Sequence, residues 1–217
     1  MKRRALIALL LAVPAVSAQQ RLLTIRETTG DTVRPASTVI TATSGGWDLS
    51  SKYGTYDVVY ILDRNYHTVS WTVRSAADGV DIKAVKNGET VRITGTMKGK
   101  PVDRAVDYPK HPWMQDFNLP VGAWVITNPP APMKFSTINL MNYGWITMSA
   151  ENKGRETVTV DGKTVDTYHV RLSLTGVLSW MWHGDYWFRS TDGRFIRYEG
   201  NMMPGSPKTV YELVGEE

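Results

Sequence analysis

Turn signals recur at short intervals along this 217-residue chain and constrain its fold more than any other feature. Between them, many segments alternate apolar and polar residues with period two, and few stretches show a helical apolar period. This spacing favours a meander of antiparallel hairpins over strand-helix-strand units. The pattern therefore predicts an all-β fold. The turn signals are Asp63-Arg64-Asn65, Asp78-Gly79, Asn87-Gly88, Lys98-Gly99, Asp161-Gly162 and Asp192-Gly193.

Ten segments alternate clearly enough to be interpreted as strands. The N-terminal region 28–51 is rich in Thr, Ser and Gly, so we expect an irregular arm there with one strand near Thr38 to Thr43. No polar linker interrupts the strand pattern, which predicts a single β-sheet domain over residues 19–217. The ten predicted strands are 56–62, 67–74, 80–85, 89–97, 145–150, 155–160, 164–174, 186–189, 194–198 and 209–214.

The hairpin at Asn87-Gly88 predicts a sheet with one face on the core and one in water. A two-residue loop at this dipeptide would pair Ala84 with Val91 and place Lys83 opposite Arg92. One face would then be apolar and the other polar. The apolar face would carry Ile82, Ala84, Val91 and Ile93.

The hairpin at Asp192-Gly193 predicts a different kind of sheet. A two-residue loop would pair Trp187 with Tyr198, and Tyr186 and Phe188 would take the opposite face. Both faces of this hairpin are then apolar, so both need a cover. The cover is either protein or an apolar ligand in a concave pocket.

Residues 107–132 are the natural protein cover, because they hold six prolines with Trp113 and Trp124 between them. Proline cannot donate to a β-ladder, so we expect a loop-rich crossover or flap here. Pro112 at the first helical position predicts one short helical turn over His111 to Phe117.

Aromatic residues supply the candidate ligand-binding site. In Trp180-Met181-Trp182, adjacent side chains point to opposite faces, so this segment too is apolar on both sides. Tryptophan and methionine commonly fill gaps in a core, which is the competing interpretation. The candidate ligand-binding residues are Trp113, Trp124, Trp145, Trp180, Trp182, Trp187 and Tyr198.

The first eighteen residues predict a cleaved export signal. Lys2, Arg3 and Arg4 precede an apolar run that is too short to span a bilayer, and small residues lead up to Ala18. We expect cleavage between Ala18 and Gln19 and a periplasmic or secreted protein. The signal takes three of the 25 lysines and arginines, leaving 22 against 21 acidic residues, so the charge predicts no nucleic-acid partner.

Reactive groups are sparse. The chain has no cysteine and four histidines whose spacing does not fit a metal set, so we predict no metal and no cofactor. Neither a nucleophile elbow nor a phosphate-binding loop is present. His183 and Asp185 are the nearest approach to an acid-base pair and leave a hydrolase as the third-ranked hypothesis.

The second half of the chain resembles a bacterial secreted family of unknown function. The resemblance rests on Asp185 to Gly200 (DYWFRSTDGRFIRYEG), on Gly205 to Leu213 (GSPKTVYEL), and on two shorter upstream matches at Val158 to Val165 and Pro112 to Gln115. It implies a curved antiparallel sheet akin to the half-barrel of periplasmic lipoprotein carriers. It carries over no catalytic residue.

These observations together predict a single curved antiparallel sheet, an incomplete lipoprotein-carrier-like barrel, with a Pro/Trp-rich covering segment. The leading hypothesis is a non-enzymatic extracytoplasmic protein that binds a lipid-like or other apolar ligand in the concave face. The alternative is an envelope protein that works through its surface or a sheet edge, without a small ligand.

Overall fold

A computed structural model describes residues 20–176, 179–201 and 205–217. Fourteen strands form one open antiparallel sheet, with one short helix, which confirms the predicted all-β fold of a single antiparallel sheet. The predicted signal peptide, Met1 to Ala18, lies outside the described residues. The described residues contain no helix that is both long enough and apolar enough to cross a membrane.

The elements follow one another with short connections until residue 107, and the helix lies in the longer connection after it. They are β1 (Gln20–Thr29), β2 (Thr32–Thr43), β3 (Gly46–Tyr53), β4 (Tyr56–Asp63), β5 (Thr68–Ser75), β6 (Val80–Asn87), β7 (Thr90–Met97), β8 (Lys100–Asp107), α1 (Asn118–Val125), β9 (Met133–Ile138), β10 (Trp145–Val160), β11 (Lys163–Leu174), β12 (His183–Arg189), β13 (Phe195–Asn201) and β14 (Lys208–Glu216).

The sheet is a meander that runs outward from both termini. Its order is β8-β7-β6-β5-β4-β3-β2-β1-β14-β13-β12-β11-β10-β9, so β1 and β14 pair in the middle. The backbone of Leu22 exchanges hydrogen bonds with Glu217 at 2.9 and 3.0 Å. The strands at the two edges, β8 and β9, are not paired with each other.

The prediction of an irregular N-terminal arm is wrong, although the one strand predicted there, near Thr38 to Thr43, lies within β2. Strands β1, β2 and β3 pair continuously through residues 20–53, and β8 and β9 were also not predicted. Polar residues at core positions interrupt the alternation of apolar and polar residues in this region. Thr38 and Ser51 are buried, and their hydroxyls form a 2.9 Å hydrogen bond with each other. A pattern search that scores only apolar residues cannot detect such a pair.

The predicted register of the β6–β7 hairpin is wrong by two residues, although the predicted faces are confirmed. Asn87 pairs with Thr90, so the two-residue loop is Gly88-Glu89, with Gly88 at a φ of 59°. A shift of two preserves side-chain parity, and the residues of the predicted apolar face are all fully buried. Arg92 faces Val85, and its guanidinium contacts Asp103 of β8 at 3.0 Å.

The predicted register of the β12–β13 hairpin is wrong by two residues next to its loop, where Phe188 pairs with Phe195, and by one residue beyond a bulge. Tyr186 pairs with Tyr198, and Trp187 pairs with Arg197. Residues 190–193 form the loop, closed by a 2.7 Å hydrogen bond from the Arg189 amide to the Arg194 carbonyl, and a bulge follows. Because a shift of one exchanges faces, Tyr198 joins Tyr186 on the inner face.

The covering segment is extended where a helical turn was predicted. Trp113 forms a parallel bridge with Ser136 of β9, and Thr68 at the start of β5 donates its amide to the Trp113 carbonyl at 2.8 Å. The helix begins at Asn118, with Pro120 in its first turn, where no amide donor is needed. Residues 112–115 therefore connect β5 to β9 across the opening of the sheet.

The side chain of Gln115 joins this crossing to β9. Its Oε1 accepts hydrogen bonds from the Trp113 indole at 3.0 Å and from the Ile138 amide at 2.9 Å. Its Nε2 donates to the Ile138 carbonyl at 3.3 Å, and its backbone amide donates to the Thr68 hydroxyl at 2.9 Å. One amide side chain thus provides hydrogen-bond partners for buried polar groups that would otherwise have none at the unpaired edge.

Replacing Gln115 with Leu should lower the free energy of unfolding by about 2–3 kcal/mol, because buried donors and acceptors lose their partner. Urea unfolding followed by tryptophan fluorescence measures this change. The matched control is Gln20→Leu, at an exposed position on β1, which should change stability by no more than about 0.5 kcal/mol. Equal effects of the two substitutions would contradict the role given to Gln115.

The helix contacts the sheet through a close approach of two glycines. A Cβ at Gly122 of α1 would overlap the carbonyl oxygen of Gly193, and a Cβ at Gly193 would overlap that of Gly122. Gly193 also has a φ of 70°, which a side chain disfavours. The helix therefore packs directly on the β12–β13 loop. This contact fixes where residues 115–118 enter the interior.

Substituting Gly122 with Ala should destabilise the protein by about 1–3 kcal/mol, although alanine is the better helix former, because the added methyl has no room. Thermal unfolding monitored by circular dichroism checks this. Gly45→Ala is the control, since the nearest atom to its Cβ would be 4.0 Å away. A stabilised Gly122→Ala variant would show that the helix does not contact the loop this closely.

Candidate ligand-binding site

Two apolar clusters fill the concave side of the sheet, and Tyr53 packs against both. One cluster centres on β10 to β13 and the helix, with Phe135 and Phe188 fully buried. The other centres on β4 to β8 and includes Trp71 and Trp113. A cavity of about 720 Å³ draws its lining from both clusters.

The sheet and the covering segment together line this cavity, which is partly open to solvent. Strands β1 to β4 and β12 to β14 form most of its wall, and residues 115–118 contribute the rest. Nine of its 18 lining residues are aromatic. The aromatic residues are Tyr53, Tyr56, Tyr60, Phe117, Trp182, Tyr186, Phe195, Tyr198 and Tyr211.

Four tyrosine rings make a continuous aromatic surface within the cavity. The ring of Tyr198 lies 4.8 Å from that of Tyr186 and 5.7 Å from that of Tyr211, which lies 6.0 Å from Tyr53. Burial raises the pKa of Tyr198 to about 12 and raises the pKa of the other three as well. The rings therefore present neutral hydroxyls and apolar faces at physiological pH.

Asp116 is the only buried carboxylate among the residues that the structure describes, and it lines the cavity. Its Oδ2 accepts a 2.9 Å hydrogen bond from the amide of Leu119 in the first turn of α1. Burial raises its pKa from 3.8 to about 6, although the amides of Leu119 and Asn118 favour the ionised form. At neutral pH the carboxylate is mostly ionised.

A pair of opposite charges lies on the part of the lining nearest the β1–β2 turn. Glu27 of β1 and Arg34 of β2 are direct cross-strand partners, and both line the cavity. They lie on the same side as the turn Gly54-Thr55, which also contributes to the lining. The cavity therefore has a charged pair beside aromatic rings at this end, because Tyr53 and Tyr56 flank the same turn.

Two of the seven sequence-predicted site residues line the cavity. Tyr198 lies on its inner wall, because the observed register turns this residue inward. Trp182 lies just before β12, and its indole donates a 2.6 Å hydrogen bond to the Asn201 carbonyl. Both were selected from the aromatic pattern of the last third of the chain.

The structure places the other five outside the cavity lining. Trp113 is fully buried and packs edge-on against Trp145, with ring centroids 5.9 Å apart, next to the sheet opening. Trp124 packs against the first cluster from the helix. Trp187 points outward and stacks on the ring of His169 at 5.0 Å, and Trp180 is 81% exposed.

Sequence reasoning missed Tyr53, Tyr56 and Tyr60, which form the β3–β4 side of the cavity. A signal was available: Tyr53 and Tyr56 flank the turn Gly54-Thr55 and pair with each other, and Tyr60 follows at an even spacing on β4. Equal parity on paired strands puts all three on one face. The predicted site residues are tryptophans apart from Tyr198, so these three tyrosines were not among them.

Asp185, which the hydrolase hypothesis pairs with His183, is occupied by other partners. Its carboxylate is 2.7 Å from Nε2 of His169 and accepts a 3.0 Å hydrogen bond from Nε of Arg171. The pKa of Asp185 is lowered: burial opposes this, but the bonds from Arg171 and His169 outweigh it. No cluster of metal-ligating side chains occurs within the described ranges.

Comparison with known proteins identifies the fold but no family. Neither the protein-family models nor the curated protein sequences give a match. The structure is similar to that of a β-barrel-like protein of the domain of unknown function DUF1849 from Brucella abortus. The TM-score is 0.62, at 6% identity over 91% of this chain and 97% of that chain. At this identity, the likeness shows a shared barrel-like fold.

Two further solved structures align more weakly. The hypothetical lipoprotein YmcC from Escherichia coli gives a TM-score of 0.37 at 12% identity, over 90% of this chain and 83% of that chain. A LolA superfamily protein from Nitrosomonas europaea gives 0.25 at 10% identity, over 94% and 86%. Scores this low carry no argument about this chain, and the terminal motif stays a prediction.

The raised pKa of Asp116 should appear in the pH dependence of stability. The folded protein binds this proton more tightly than the unfolded chain, so the stabilisation is full below about pH 4 and is lost as the pH rises through about 6. Asp116→Asn keeps an acceptor for Leu119 and removes the proton. Its stability relative to the unmodified protein should therefore rise by up to about 3 kcal/mol between pH 4 and pH 8.

Urea unfolding at a series of pH values measures this difference. Asn118→Ser is the control, since it alters the neighbouring lining residue without adding or removing a titratable group. The offset of the control from the unmodified protein should not vary with pH. A constant offset for Asp116→Asn as well would contradict a raised pKa.

Proposed function

We propose that this protein is a non-enzymatic, extracytoplasmic binding protein that holds a lipid-like or other apolar ligand in the cavity between its concave sheet and residues 115–118. The observation that carries the proposal is the cavity itself, about 720 Å³ and half lined by aromatic residues. Sites for small molecules commonly have this size and this mixture of apolar walls with a few polar groups.

The two-faced aromatic pattern of β12 and β13 supports the proposal. Tyr186, Phe188, Phe195 and Tyr198 point inward and are buried, while Trp187 and Arg197 lie on the outer face. Part of the inward surface packs against the helix, and part of it lines the cavity. The remaining cover of this face is the ligand.

The location of the protein follows from the same proposal. An export signal over residues 1–18, cleaved after Ala18, would deliver the domain of residues 19–217 to the periplasm or the medium. The balanced charge of that domain is consistent with a protein that works on apolar rather than nucleic-acid partners. The half-barrel of lipoprotein carriers that the family resemblance implies would serve such a role.

The alternative, an envelope module that binds another protein along a sheet edge, has less support from the edges described here. Strand β8 carries Pro101 and four charged residues, both of which oppose the addition of a further strand. Strand β9 is covered by the crossing segment, whose Pro112 carbonyl accepts the Ser136 amide at 2.8 Å. The surface version of this alternative would require a partner on another face.

Narrowing the cavity should weaken binding without unfolding the protein. Val58 lines the cavity and is 7% exposed, whereas its neighbour Val59 points outward and is 39% exposed. Val58→Phe should weaken the binding of decan-1-ol by at least about tenfold, because the ring takes the space of the ligand. Isothermal titration calorimetry measures the affinity.

Val59→Phe is the matched control and should bind decan-1-ol as the unmodified protein does. Mass spectrometry of small molecules that co-purify with the protein should also identify amphipathic compounds, and these should be depleted from the Val58→Phe variant. If the unmodified protein binds no decan-1-ol, or if the two variants bind it equally, the proposed function is wrong.

A further inference from the structure

Asp116 is a buried carboxylate that has no cationic partner among the residues that the structure describes. Lysine, arginine and histidine are absent from its hydrogen bonds and ion pairs within the described residues, and no cation contributes to its pKa. Buried carboxylates in proteins are normally paired with a cation or kept neutral. Here the carboxyl stays mostly ionised at neutral pH, next to an empty volume large enough for a ligand.

The lining of the cavity also carries a net negative charge. Its charged lining residues are Asp116, Glu27 and Arg34, which gives an excess of one negative charge. Glu27 and Arg34 face each other across β1 and β2 and offset each other there. The amide groups at the start of α1, which could otherwise attract an anion, already face Asp116.

The aromatic rings complete the arrangement. Tyr53, Tyr60 and Tyr186 are close enough to Asp116 for its charge to raise the pKa of their hydroxyls, so the carboxylate lies beside the tyrosine surface. The faces of tyrosine rings carry partial negative charge and attract cations, most strongly where water is excluded. Several rings around one acid form a setting that binds ammonium groups and repels carboxylates.

We propose that the ligand of this cavity is a cationic amphiphile, whose primary amine or quaternary ammonium group lies against Asp116 and the tyrosine rings while its apolar chain fills the remaining space. This inference rests on the proposed function and names the chemical class of its ligand. An anionic ligand such as a fatty acid would place a second negative charge beside Asp116.

The test compares three ligands that share a ten-carbon chain and differ in the head group: decyltrimethylammonium, decan-1-ol and decanoate. Isothermal titration calorimetry on the unmodified protein at pH 7.5, below micelle-forming concentrations, gives the three affinities. The cation should bind at least about tenfold more tightly than decanoate and more tightly than the alcohol. This comparison needs no variant and does not depend on how a substitution affects folding.

Asp116→Asn then assigns the preference to its source. The variant should lose the advantage of the cation over the alcohol while its affinity for decan-1-ol stays within about twofold, because the volume and shape are unchanged. Asp48→Asn removes an exposed acidic residue of β3 that does not line the cavity, and it should retain the cation preference within about twofold. Circular dichroism confirms that both variants are folded.

The possible failures are distinguishable. If decan-1-ol binds but the cation is no better than decanoate, the cavity binds apolar chains and the cationic assignment is overturned. Retention of the full cation preference by Asp116→Asn overturns the role of this carboxylate. If none of the three ligands binds, the proposed function itself fails, and the cationic ligand fails with it.

Discussion

The structure depends on how a strongly curved sheet is held together where its two edge strands fail to pair. Residues 112–115 cross this opening, and the Gln115 side chain bonds the backbone of Ile138 while its own amide bonds Thr68. The crossing segment provides hydrogen-bond partners for part of edge strand β9 and buries Trp113 in the second apolar cluster. It also places Asp116 and α1 in the interior. The same segment therefore determines how the barrel is closed and how the cavity is shaped.

Much of this fold could be predicted from the sequence, because period-two alternation and turn dipeptides are local signals. Strands β4 to β7 and β10 to β14 follow from such patterns, with β10 predicted as two shorter strands, and so does the apolar face of the β6–β7 hairpin. Registers were harder to predict, since they depend on which residues of a turn adopt positive φ. At Gly88 this choice moved the pairing by two residues and left the faces intact. In the β12–β13 hairpin, the four-residue loop and the bulge after it together moved the pairing by one residue and exchanged the faces.

The candidate site was less predictable than the fold. Trp182 and Tyr198 line the cavity, whereas Tyr53 lies on β3, a strand that was not predicted because buried hydroxyls interrupt its apolar alternation. Tyr56 and Tyr60 lie on the predicted strand 56–62 but were not among the predicted site residues. The local sequence does not mark Asp116 as a site residue, because an aspartate just before a helix is normally interpreted as a helix cap. Its burial comes from the crossing segment, which packs against strands that are distant in sequence, and no local pattern contains that information.

The crossing segment gives the cavity one wall that differs mechanically from the others. Strands β1 to β4 and β12 to β14 are joined by continuous ladders, so deforming them would break many backbone hydrogen bonds at once. Residues 115–118 belong to no ladder except through a few side-chain contacts. Gln115 both lines the cavity and holds the crossing to β9. One side chain therefore belongs both to the wall of the cavity and to the link between the crossing segment and the edge of the sheet.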